Sequence, residues 1–133
     1  MGGAEYMKSI KKYETIINEA LRSALEYDTP EGQINEFISF FGKHIGSDRI
    51  YIFEDDEEHH VTNNTYEWCT EGITPQIEHL QGVNMEVIDW WYDTFEEGKS
   101  VIISDVEELK GVHQVSYNML KYQNVHKVVV SPL

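Results

Sequence analysis

Apolar positions recur at three- and four-residue intervals over residues 6–27, where Ile10, Tyr13, Ile17, Leu21 and Ala24, with Ala20 and Leu25, share one face. That period belongs to an amphipathic helix, and Lys8, Lys11, Lys12, Glu19, Arg22 and Glu26 take the other face. Thr29 offers a side-chain acceptor at the start of a second helix. Pro30 suits the first helical position, where its missing N–H has no helical partner to lose. The second helix runs to about His44, turns Ile34, Phe37, Ile38 and Phe41 inward, and meets Gly46 near its end.

The period then changes. Residues 49–54, RIYIFE, form a strand that is apolar on both faces, which predicts a sheet covered on both sides. The acidic run over residues 54–58 reads as a solvated turn. Residues 61–69 read as the return strand of an antiparallel hairpin. After Gly72 the chain is irregular, with Pro75 and Gly82 as breakers. Asn84 can cap a helix over residues 85–97, closed by Gly98, with Val87, Trp90, Trp91, Thr94 and Phe95 as its apolar stripe. A short strand follows over residues 101–104. Residues 105–123 form one or two short helices anchored by Leu109, Val115, Met119 and Leu120, and residues 125–130 form the last strand. Hairpin-linked early strands between helices predict an α+β fold with a mainly antiparallel sheet.

Charge narrows the range of partners. Asp and Glu number 24 against 10 Lys and Arg, a net charge of −14. Between Arg49 and Lys99 there is no Lys or Arg at all. Such a surface repels nucleic acid and anionic lipid, and it disfavours a phosphate-rich ligand. No apolar run approaches the roughly 20 residues of a membrane-spanning helix. The opening stretch, MGGAEYMKSI, lacks the apolar core of a signal peptide. A cytoplasmic protein without direct membrane contact is expected. The 133 residues, 41% of them hydrophobic, suit one domain with its own core.

In order, a two-helix lead-in, SDRIYIFE, TYEWCTEGI, a helix ending in EEGKSVIISDVEEL, and a helix running into NVHKVVVSPL resemble a GAF domain. The nearest kind is the sensor module that bacterial signalling proteins join to diguanylate cyclase or phosphodiesterase outputs. The likeness spans residues 20–133. It implies a central, mainly antiparallel sheet with the N-terminal helices on one face and short helices and loops on the other. It also implies a small-molecule sensor or a dimeric regulatory module, with an attached output domain. The family pattern continues past this point with two further strands and a closing helix. The last strand is therefore expected to expose an edge, and homodimers or exchanged strands are expected with it.

The candidate chemistry is sparse. Cys69 is the only thiol, which excludes an internal disulfide and a multi-cysteine zinc site. Its sequence neighbours Glu67 and Glu71 disfavour a thiolate, so a structural cysteine is the plain reading. Methionine sulfoxide reduction on this fold needs several cysteines, and bilin attachment needs a motif that Cys69 lacks. His59 and His60 beside residues 55–58 offer imidazole and carboxylate, but adjacent strand residues point opposite ways and no metal site is expected. His44, His79, His113 and His126 are scattered, with no nucleophile–base order, so no enzyme is expected. The Asn-Lys-Phe-Asp-Glu signature of cyclic-nucleotide-binding relatives is absent.

The aromatic residues remain. Tyr66 and Trp68 share one face of their strand. If that face meets a ligand pocket, the resemblance puts Trp91, Ile103, His113 and Tyr117 on the opposite wall. Aromatic rings with few cations nearby suit a neutral or cationic small molecule. The competing reading is ordinary core packing, with the chain acting as a ligand-free dimerisation or interaction module.

Overall fold

A computed structural model describes the backbone of residues 3–133, with side chains for Lys8 and residues 11–133. It is an α+β structure with four α-helices and two small antiparallel sheets among the described residues. The chain divides into two compact units. One holds the residues up to Asp55 together with Asn63–Gln81, and the other holds Asp56–Thr62 and Gly82–Leu133.

In the first unit, helix α1 (Gly3–Ala24) packs against helix α2 (Pro30–Ile45). The cap of α2 is as the sequence predicts. Thr29 Oγ1 accepts from Gly32 N at 3.0 Å, Pro30 opens the helix, and Gly46 closes it at φ +71°, a left-handed conformation that glycine adopts without a Cβ clash. The turn between the helices is tied by Glu36. Its carboxylate accepts from Ser23 Oγ at 2.8 Å and from the Tyr27 hydroxyl at 3.1 Å.

The stripe that periodicity groups on α1 is divided in the structure: its two alanines are buried and its larger members are not. Ile16, Ala20 and Ala24 are buried, whereas Tyr13, Ile17, Leu21 and Leu25 are 38–76% exposed. The side chain of Ile10 lies outside the described residues. Two rows spaced by four residues run side by side on this helix, and the one that ends in two alanines lies inward. Small side chains let one helix backbone approach another closely, which the bulkier row would prevent. The helix also ends at Ala24 rather than residue 27, where Leu25–Tyr27 make turn bonds.

Strand β1 (Arg49–Asp56) and strand β2 (Val61–Cys69) form a hairpin, and a two-residue strand β3 (Val83–Asn84) extends the sheet in the order β1-β2-β3. The base of the hairpin belongs to the first unit and its tip to the second. Ile50, Tyr51, Ile52 and Phe53 are all half-buried, so β1 is covered on both faces, although on neither completely.

In the second unit, Asn84 Oδ1 accepts from Glu86 N at 2.9 Å, the cap that the sequence predicts. The single helix expected over residues 85–97 is instead a 3₁₀ turn, Met85–Ile88, followed by helix α3 (Asp89–Glu96). The break falls at Ile88, at φ −124°. Strand β4 (Val101–Ile103) pairs antiparallel with strand β5 (Val128–Val130), with Ile102 opposite Val129. The two strands form a sheet of their own, where the sequence anticipates one central sheet. Strand β5 is shorter than expected because Val125 N bonds Leu120 O and the His126 carbonyl accepts from Val106 N. The core gathers Ile88, Trp91, Val101, Ile103, Val106, Leu109 and Leu120.

A 3₁₀ turn, Val106–Leu109, and helix α4 (Gln114–Tyr122) fill residues 106–122. Leu109 and Leu120 are buried as anticipated and Met119 packs against the core, but Val115 is 61% exposed. Ser116 takes the inward position instead, almost wholly buried. Its hydroxyl accepts from Trp90 Nε1 at 2.9 Å and donates to the Val87 carbonyl. The Trp90 indole N–H finds its acceptor in this way, with α4 set one residue away from the position that hydrophobicity alone favours.

Candidate functional site

The alternation of strands β1 and β2 sends Arg49, Tyr51, Glu67 and Cys69 to a common cluster in the first unit. The Arg49 and Glu67 side chains are 10% and 3% exposed, with Nε and Oε2 at 3.6 Å. Arg49 donates through one terminal nitrogen to the Tyr51 hydroxyl at 3.0 Å and through the other to the Thr74 carbonyl. Glu67 accepts from Gln76 N at 2.9 Å and from Ile77 N at 3.2 Å, so it caps the 3₁₀ turn Ile77–His79 from the neighbouring strand. Burial pushes the Tyr51 phenol up to about 12, against the lowering pull of Arg49. Burial also raises the Cys69 thiol, and Arg49 only partly offsets it. A protonated thiol beside a guanidinium already engaged with Glu67 is a poor nucleophile. The cluster is a clamp that fixes the loop after β2 to the sheet.

Trp68 alternates away from this clamp and lies over helix α2 at Gly42, with Ile50 beside it. Tyr66 is half-buried on the same strand. These two pocket candidates belong to the first unit.

The other four candidates come together in the second unit. Trp91 and Ile103 are buried members of its core, and Tyr117 packs against that core. His113 stacks on Trp90, ring centroids 4.1 Å apart and 8° from parallel. Tyr117 donates to the Glu107 carboxylate at 3.1 Å, which also pairs with Lys121 Nζ at 2.9 Å. Those two contacts hold the Glu107 carboxyl below its ordinary range, Lys121 contributing most. The Trp91 indole N–H is buried and has no hydrogen-bond partner among the described residues.

At the hairpin tip, His59 Nδ1 meets Asp56 Oδ2 at 2.8 Å, and the His60 carbonyl accepts from Met85 N. Among the described residues no group of three His, Cys, Asp or Glu side chains converges as a metal would require. None of their helices is long and apolar enough to cross a membrane.

The exposed apolar surface that stands out is on α1 and the turn after it. Tyr13, Ile17, Leu21 and Leu25 form one exposed apolar row, bordered by Glu14, Asn18 and Arg22. Sequence periodicity groups this row with Ala20 and Ala24 in one stripe, part of it expected to pack inward and part to serve a helical connection between copies. The clamp of Arg49 and Glu67 left no sequence signal, because the two lie on different strands and each reads alone as a surface charge. The Ser116 network had one: a tryptophan expected inward carries an N–H that must be matched.

No protein-family model matches the chain, and no curated protein matches it.

Proposed function

We propose that this chain is a non-catalytic regulatory module of the GAF type, cytoplasmic, working as a homodimer that relays a signal to an attached output domain in a bacterial signalling protein. The observation that carries the reading is the exposed apolar row on α1. Leaving Tyr13, Ile17 and Leu21 in water along one helix, with Leu25 just past its end, is unfavourable unless a partner covers them. The order of the sequence features supports the GAF form of the reading. The acidic stretch from residue 50 to residue 98 supports a neutral or cationic small molecule as its signal, if one binds.

A second reading, a dimerisation or interaction module with no ligand, is favoured by the packing of Trp91 and Ile103. Both are buried in the core that also holds Ile88, Val101, Val106, Leu109 and Leu120, and a side chain so enclosed has little surface to give to a ligand.

Native mass spectrometry separates these readings. A dimer with retained extra mass supports the sensor, and a dimer at bare protein mass supports the ligand-free module. Ile17→Glu and Leu21→Glu lie on the exposed row, so each should turn dimer into monomer while far-UV circular dichroism stays unchanged. A wild-type chain that stays monomeric at high concentration would overturn the proposal.

A further inference from the structure

We draw no further inference here: the strongest candidate, the exposed apolar row of Tyr13, Ile17 and Leu21 on helix α1, already carries the reading above, and nothing in the structure shows what covers it.

Discussion

Gly42 lies so close to Trp68 that a Cβ at position 42 would overlap the six-membered ring of the indole. The helix has a glycine at this inward position because the strand beneath it presents the largest side chain available. Gly42→Ala gains up to about 1 kcal/mol in helix propensity but overpacks the contact by roughly 1–3 kcal/mol. The net effect should be destabilising, seen as a lower denaturation midpoint. Trp68→Leu should relieve it, so that Gly42→Ala is less harmful in that background. Equal losses in both backgrounds would show that the ring is not the cause.

Glu67 serves Arg49 and two backbone N–H groups together. Glu67→Ala strands a buried guanidinium and uncaps the 3₁₀ turn, and should cost about 3 kcal/mol in urea unfolding. Glu67→Gln keeps an acceptor for Gln76 and Ile77 but not the charge, and should fall between Ala and wild type.

Tyr51 carries a prediction for alkaline pH. Its folded pKa is pushed up to about 12, above the ordinary value near 10. The unfolded chain therefore ionises first as pH rises. The stability contribution is fully present below pH 10 and is lost on going from 10 to 12. Thermal melts of Tyr51→Phe should decline less than wild type across that window, and parallel declines would count against the buried phenol.

Ser116→Ala removes both the acceptor of Trp90 Nε1 and the donor to Val87. A loss of about 1–3 kcal/mol is expected. The indole N–H resonance of Trp90 should shift in a proton NMR spectrum, and an unmoved resonance would place the hydrogen bond elsewhere.

Element ends were the most legible part of the sequence. Thr29, Pro30, Gly46 and Asn84 each act at a terminus through a local rule, and each does so in the structure. Which of two neighbouring rows a helix buries was less legible. On α1, residues 16, 20 and 24 compete with residues 13, 17, 21 and 25, and only the close approach to α2 decides between them. On α4, Val115 outranks Ser116 by hydrophobicity, yet a hydrogen bond formed across 26 residues reverses the order. The Arg49–Glu67 pair was illegible for the same reason: its meaning depends on strand partners, and no spacing encodes it. For the pocket candidates, residue type was legible but not placement. The structure gathers Trp91, Ile103, His113 and Tyr117 in one unit because α3, β4 and α4 share its core or border it.

The stretch without Lys or Arg has a practical side. Reagents and enzymes that act on amines or guanidinium groups find nothing between residues 50 and 98. Trypsin releases residues 50–99 as one long peptide, carrying the whole hairpin beyond Arg49, the only thiol and all three tryptophans. Lysine acylation and amine-reactive labels are confined to the two ends of the chain. A label placed that way reports on α1, α2 and the C-terminal segment, and leaves the acidic middle chemically silent.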